Sequence, residues 1–172
     1  MKNESLYSKC KKIKIIATDV DGVLTDGGIY YSEKGEIIKK FHVRDGMGVN
    51  ILLRNGIKTI IITKENSKIV KKWARDMNIV KVYSNSIQKE LLIVQISKEF
   101  SIKSSEIAYI GDDVNDVKIA KKIGLSATPK DGIPIMKQNV NYVCKLGGGM
   151  GAFREFSDLI LSKKFIKNTK LY

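Results

Sequence analysis

The stretch Ile13-Lys14-Ile15-Ile16-Ala17-Thr18-Asp19-Val20-Asp21-Gly22-Val23-Leu24-Thr25 decides how this chain is read. A short apolar run, suited to a buried strand, stops at two aspartates one residue apart and then at a glycine. Two carboxylates at the end of a buried strand cost stability unless positive charge faces them. A hard divalent cation meets that need, and a phosphoryl group commonly accompanies it. A calcium loop of the EF-hand kind would need further oxygen ligands at fixed spacing and a closing glutamate. Val23 and Tyr30 stand where such ligands belong, so that reading fails.

Outward from this stretch, apolar runs alternate with amphipathic segments. Ile29–Phe41 reads as a hairpin turning near Glu33-Lys34-Gly35. Asp45 is placed to cap a helix running to about Asn55, with Met47, Val49, Leu52 and Leu53 on its apolar side. Ile57–Ile62 is an apolar strand that stops at Thr63. Asn66 or Ser67 opens a helix that turns Ile69, Val70, Trp73 and Met77 to the core. Val80–Tyr83 is a short strand, and Ile87–Phe100 a helix packing through Leu91, Val94, Ile96 and Phe100. Ile107–Ile110 is a strand ending at Gly111-Asp112-Asp113, followed by a helix over Val114–Lys122. Leu125–Ala127, Ile133–Lys137 and Tyr142–Val143 continue the alternation, and a last helix runs to about Ser162.

This pattern implies an α/β fold: a Rossmann-like parallel sheet covered by helices on both faces, with a small β-hairpin beside it. Residues 1–172 are expected to form a single domain, with a polar tail over about 163–172. The formal net charge of +13 comes almost wholly from dispersed lysine; arginine stands only at positions 44, 54, 75 and 154. Nucleic-acid readers favour arginine forks in a concentrated patch, so nucleic acid is not an expected partner. No apolar stretch is long enough to cross a membrane, and the first twelve residues do not read as a signal peptide. Cys10 and Cys144 lack metal-like spacing and argue against a disulfide framework, which fits a cytoplasmic protein.

Ligands of parallel α/β sheets bind beyond the carboxyl ends of the strands. Three strands here end in polar groups: Asp19-Val20-Asp21, Thr63-Lys64 and Gly111-Asp112-Asp113. Asp112, Asp113 and Asp116 could simply be acids in a first helical turn, where the dipole favours them. Gathered at one sheet edge with Asp19 and Asp21, they would repel one another without a divalent cation. Thr63 and Lys89 are unremarkable alone. In this order, Asp19-Val20-Asp21-Gly22-Val23, Thr63, Lys89 and Gly111-Asp112-Asp113-x-x-Asp116 resemble the haloacid dehalogenase superfamily of phosphatases over nearly the whole chain.

The resemblance implies roles. Asp19 would attack phosphorus and become an aspartyl-phosphate, and Asp21 would act as general acid and then general base. Mg²⁺ would be held by the Asp19 carboxylate, the Asp21 main-chain carbonyl and the Asp112 carboxylate. Thr63 and Lys89 would hold the transferring phosphoryl oxygens. Asp113 and Asp116 would orient Lys89 and the water around the metal from behind. A degenerate, non-catalytic regulator of the same fold is the competing class, but every motif aspartate is present.

Most members of the superfamily carry a cap domain, and this chain has room only for the hairpin. Asp26-Gly27-Gly28-Ile29-Tyr30, Val43-Arg44-Asp45-Gly46 and Gly147-Gly148-Gly149-Met150-Gly151 are similar to a capless branch acting on 2-keto-3-deoxy sugar acid phosphates. That implies 3-deoxy-D-manno-octulosonate 8-phosphate as substrate, in lipopolysaccharide precursor synthesis, with a sialic-type nine-carbon 9-phosphate as the alternative. It also implies substrate contacts from His42, Val43, Arg44, Asp45 and Gly46, often across a subunit boundary, besides Asp21, Glu65 and Lys89. The octulosonate phosphatases of the branch tend to have arginines where this chain has Asn50, Glu65 and Trp73, and Glu65 looks more like the sialic-type members. The glycine cluster lacks the lysine and hydroxyl of a nucleotide loop. The hairpin's Ile29, Tyr31, Ile37 and Phe41 are too apolar for a free excursion, and the expectation is a homo-oligomer, a tetramer first.

Overall fold

The apolar run Ile15–Thr18 forms β1 at the centre of a parallel sheet, in a computed structural model that describes residues 4–166 and 169–171. The chain continues through the antiparallel hairpin β2 (Tyr30–Ser32) and β3 (Gly35–Ile38), then α2 (Val43–Arg54) and β4 (Lys58–Ile62). The helix α1 (Leu6–Lys12) precedes β1. Next come α3 (Lys68–Asp76), β5 (Lys81–Tyr83), α4 (Leu92–Glu99) and β6 (Ile107–Ile110). The chain closes with α5 (Val117–Ala120), β7 (Leu125–Thr128), α6 (Pro134–Asn139), β8 (Tyr142–Val143) and α7 (Ala152–Lys164). The six-stranded sheet has the order β5-β4-β1-β6-β7-β8, and every pairing in it is parallel.

Both faces of the sheet are buried, which is why its strands are apolar at nearly every position. Ile16, Ile61, Ala108 and Ile110 face a cluster built with Val49 and Leu52 of α2, Val70 of α3 and Phe153, Phe156 and Ile160 of α7. Ile15, Ala17, Ile60, Ile62 and Tyr109 face the other side, against Ile93 and Ile96 of α4 and Ile119 of α5. The strand order puts β1 where the chain turns from one half of the sheet to the other. The carboxyl ends of β4, β1 and β6 therefore lie side by side, as expected for a ligand site.

Several expected packing positions are corrected. Met47 and Leu53 are exposed on α2, and Gly46, Gly48 and Ile51 share the buried face with Val49 and Leu52. Leu91 and Val94 are also exposed. A short 3₁₀ turn over Lys89–Leu91 resets the phase, so α4 buries Ile93 beside the expected Ile96. The N-terminal α1 was not expected; Ser5 caps it and Cys10 anchors it in the core. At the other end α7 continues to Lys164, two residues beyond the expected stop. Further on, Lys170 N–H donates to Asn55 Oδ1 at 2.9 Å and Arg54 Nη1 donates to the Leu171 carbonyl at 2.8 Å. Residues 167, 168 and 172 of the expected tail lie outside the described residues.

Asp45 is not the helix cap. His42 takes that place, its Nδ1 accepting the Arg44 N–H at 3.2 Å. Asp45 lies three residues in, fully buried, and its Oδ1 accepts the Arg154 N–H at 2.8 Å in the first turn of α7. It thus ties α2 to α7. Its Oδ2 has no partner. Burial pushes the carboxyl up to about 6, against the opposing pull of the Arg154 N–H and the His42 and Arg154 side chains. Because the folded value lies above the ordinary one, neutral Asp45 favours the fold at low pH, and that contribution is lost as pH rises through about 6. Asp45→Asn removes this titration. Its melting temperature minus that of the wild type should rise by several degrees between pH 5 and pH 8, whatever the offset at pH 5. A constant difference, measured by circular dichroism melts, would show that Asp45 is not the titrating group.

Candidate active site

At the end of β1 the backbone turns sharply, with the N–H groups of Val23, Leu24 and Thr25 all donating to the Val20 carbonyl. Gly22 has φ +78°, and a Cβ there would lie 2.0 Å from Asp112 Oδ2. Glycine is required twice, for the backbone angle and for the approach of Asp112 from the neighbouring strand end. The glycine cluster before α7 braces this turn from outside. Gly149 N–H donates to the Val23 carbonyl at 2.9 Å, and a Cβ on Gly148 would meet the Gly22 carbonyl oxygen at 2.0 Å.

Asp19 is nearly buried, with Oδ1 accepting the Val20 N–H at 2.7 Å and Oδ2 accepting from Lys89 Nζ at 2.5 Å. Lys89 is wholly buried and also donates to Asp116 Oδ1 at 2.7 Å and to the Tyr109 hydroxyl at 3.2 Å. Asp116 is held in turn by the Tyr109 hydroxyl at 2.6 Å and by the Asp112 and Asp113 N–H groups at 3.0 and 3.4 Å. Tyr109 was not among the expected site residues. It sits inside an apolar strand, where an aromatic residue reads as core, and only its hydroxyl reaches the cluster.

Asp19, Asp112 and Asp116 each offer a carboxylate oxygen within 4.8 Å of one another. Burial pushes Asp19 up to about 7; the Lys89 charge opposes that shift and Asp116 adds to it. Burial, then the charges of Asp19 and Asp116, pushes Asp112 up to about 8. A cluster that resists its own ionisation at neutral pH has the donor chemistry of a divalent-cation site. Asp116 is fully buried behind the cleft with its oxygens on Lys89, Tyr109 and backbone N–H groups, which makes it a support, whereas Asp19 and Asp112 line the cleft and can face a cation there. Asp113 does not touch Lys89. It is exposed at the mouth and caps its own turn, Oδ1 accepting the Val114 N–H at 2.6 Å, so the helix-terminus reading holds for it.

Asp19, Asp112 and Asp113 line an open cleft of about 540 Å³ together with Asp21, Gly27, Ile29, Thr63, Lys64 and Glu65, while Lys89, Asp116 and Tyr109 lie buried behind them. Thr63 is buried at the end of β4, and its hydroxyl accepts the Glu65 N–H at 3.2 Å. Asp21 is ion-paired with Lys39 at 2.5 Å, and the same Nζ lies 2.5 Å from Glu36 Oε1. Lys39 was missed in the sequence, where it is one lysine in a hairpin otherwise open to solvent. Burial works against its ammonium, but the hydrogen bonds to Asp21 and Glu36 outweigh it and hold the proton more tightly than usual. A second hollow of about 700 Å³ adjoins the cleft between the hairpin and the start of α3.

The His42–Gly46 segment does not line this cleft. Val43 is 82% exposed and Arg44 points outward, whereas Asp45 and Gly46 are buried between α2, α7 and α3. Glu65 does line it, one of the three positions where the resemblance implies arginine. The other two are committed elsewhere. Trp73 stacks on Phe41, ring centroids 4.4 Å apart and 8° from parallel, and Asn50 bonds the Gly46 carbonyl and Asn78.

A haloacid dehalogenase-like hydrolase profile matches residues 55–147. The chain is 37% identical to the 3-deoxy-D-manno-octulosonate 8-phosphate phosphatase of Haemophilus influenzae over 91% of this chain and 87% of that one. It is 36% identical to the Escherichia coli K12 phosphatase of the same name, over 91% and 83%. The cobalt-bound H. influenzae enzyme superposes with a TM-score of 0.88, at 37% identity over 91% of both chains. The Moraxella catarrhalis enzyme, solved with magnesium, phosphate and the sugar acid, superposes with a TM-score of 0.89, at 36% identity over 92% and 91%. With the aspartates, Thr63 and Lys89 gathered at one sheet edge, these likenesses settle the family: the chain belongs to the haloacid dehalogenase-like hydrolases.

Proposed function

We propose that this chain is a Mg²⁺-dependent phosphatase of 3-deoxy-D-manno-octulosonate 8-phosphate, acting in the cytoplasm in lipopolysaccharide precursor synthesis, with the whole chain as one hydrolase domain. The observation that carries the reading is Asp19, held between the Val20 N–H and Lys89 on the floor of an open cleft beside Asp112. The similarity to octulosonate phosphate phosphatases along most of the chain supports the substrate.

Asp19 attacks phosphorus, forming a new O–P bond as the bond to the sugar oxygen breaks. Asp21 gives its proton to the departing alkoxide. Asp21 then takes a proton from water, whose oxygen attacks the aspartyl-phosphate and releases inorganic phosphate and free Asp19. Lys89 and the Thr63 hydroxyl stabilise the phosphoryl oxygens. Asp116 and Tyr109 fix the Lys89 ammonium where it can do so. Mg²⁺ would sit on the Asp19 and Asp112 carboxylates and the Asp21 carbonyl, and when bound it neutralises charge on the phosphoryl group and the carboxylates. No described helix is long and apolar enough to cross a membrane.

The purified chain should release phosphate from the octulosonate ester only with Mg²⁺. Asp19→Asn should lower turnover by more than about 10³-fold with an unchanged far-UV spectrum, because an amide is not a nucleophile here. Retention of most of the activity would exclude the covalent route.

Ile29, Tyr31, Ile37 and Ile38 remain exposed on the hairpin, 58, 76, 53 and 54% respectively, while Phe41 is occupied by Trp73. An apolar surface of this kind fits burial against further copies, and a tetramer is the proposed assembly. A neighbour would then bring its half-buried His42 and exposed Val43 and Arg44 toward the open cleft. Light scattering at assay concentration should report an oligomer, and a fully active monomer would refute this assembly.

Glu65 faces the sugar side of the cleft as a hydrogen-bond acceptor and not as a partner for the substrate carboxylate, since like charges repel. Glu65→Arg should raise kcat/KM for the octulosonate ester relative to a nine-carbon 9-phosphate by roughly tenfold. Equal changes for both esters and for p-nitrophenyl phosphate would assign Glu65 to the fold or the metal site.

A further inference from the structure

Asp21 must deliver and recover a proton at one place in the cleft, yet it stands on a turn, not on a strand. Its Oδ1 is gripped by Lys39 at 2.5 Å, with only a long 3.5 Å contact from the Thr25 hydroxyl besides. Its Oδ2 makes no hydrogen bond among the described residues, and Asp21 lines the cleft. Lys39 is itself fixed. Its side chain is 1% exposed, and its second partner Glu36 accepts at Oε2 from the Ser67 hydroxyl at 2.9 Å, the residue that caps α3. A continuous chain of contacts runs from the α3 N-terminus through Glu36 and Lys39, across the base of the hairpin, to one oxygen of Asp21.

We propose that Lys39 is a positioning residue for the reaction: by holding Asp21 Oδ1 it presents Oδ2 to the leaving oxygen, and it makes that alignment depend on the seating of the hairpin. The proposal rests on the phosphatase reading above, with Asp21 as acid and base. A lysine that only stabilised the hairpin would have no need to reach Asp21; Glu36 and Ser67 already supply that anchor. A free carboxylate on a turn would instead sample several rotamers, and misalignment of a catalytic group by about 1 Å costs on the order of 10²-fold in rate.

The leaving group separates these roles. A sugar alkoxide cannot depart without a proton, whereas p-nitrophenolate can, and kcat/KM reports the first transfer, in which Asp19 displaces the leaving group. With Mg²⁺ present, Lys39→Met should lower kcat/KM for octulosonate 8-phosphate by about 10²-fold. For p-nitrophenyl phosphate the loss should stay below about threefold. The double change Glu36→Gln with Lys39→Met removes both members of the ion pair together, keeps an acceptor for Ser67, and should show the same selective loss should the single variant fail to fold. An equal fall for both esters in a folded variant, or no fall for either, would overturn the proposal. Failure of the wild type on both esters would overturn the phosphatase reading on which it rests.

Discussion

The structure is organised around one buried cation. Lys89 lies beneath the cleft between Asp19 and Asp116; it and Asp116 are shut off from solvent, and Asp19 is nearly so. Removing one partner of such a group leaves an uncompensated charge in a medium that solvates it poorly. Lys89 therefore holds β1, β6 and the turn before α4 in register at their carboxyl ends. Charge balance nevertheless remains incomplete, because Asp112 adds a third carboxylate. The site is folded to carry more negative charge than the protein neutralises, and that surplus is the physical basis of its demand for a divalent cation.

A second ion pair governs the open side of the cleft. Lys39 ties the hairpin to the turn carrying Asp21, so this excursion from the α/β layers is anchored at the mouth of the cleft. The same hairpin exposes a row of isoleucine and tyrosine side chains to solvent. A capless cleft leaves its substrate accessible to water, and a hairpin that docks on a neighbour while holding Asp21 would join assembly to the alignment of the acid. The high positive charge of the chain suits the approach of an anionic ester without implying a nucleic-acid partner.

The limits of the sequence reading fall at positions where one residue type serves two physical roles. Tyr109 read as core because its ring is core; the hydroxyl that supports Asp116 leaves no trace in the periodicity. Lys39 lay among lysines, and a buried lysine cannot be told from a solvated one without its partners. A single helix over 87–100 would turn Leu91 and Val94 inward, and the 3₁₀ turn at Lys89 shifts the phase. Asp45 carried the pattern of a local cap, but its partner is Arg154, more than a hundred residues away.

The sequence by itself determined the layer architecture and the chemistry. Continuous apolar strands can be buried only on two faces, and aspartates at strand ends can be tolerated only at the sheet edge where ligands bind. Asp19, Asp21, Thr63 and Asp112 were legible as a cluster for that reason, since they stand at strand ends; Lys89 was legible only through the family resemblance. Tertiary structure alone decided that Asp113 caps its own turn and does not reach Lys89, which lysine grips Asp21, and where His42–Gly46 lies. Those assignments depend on distances between residues far apart in the chain. A few ångströms there separate a buried ion pair from a solvated charge, a difference that neither composition nor spacing encodes.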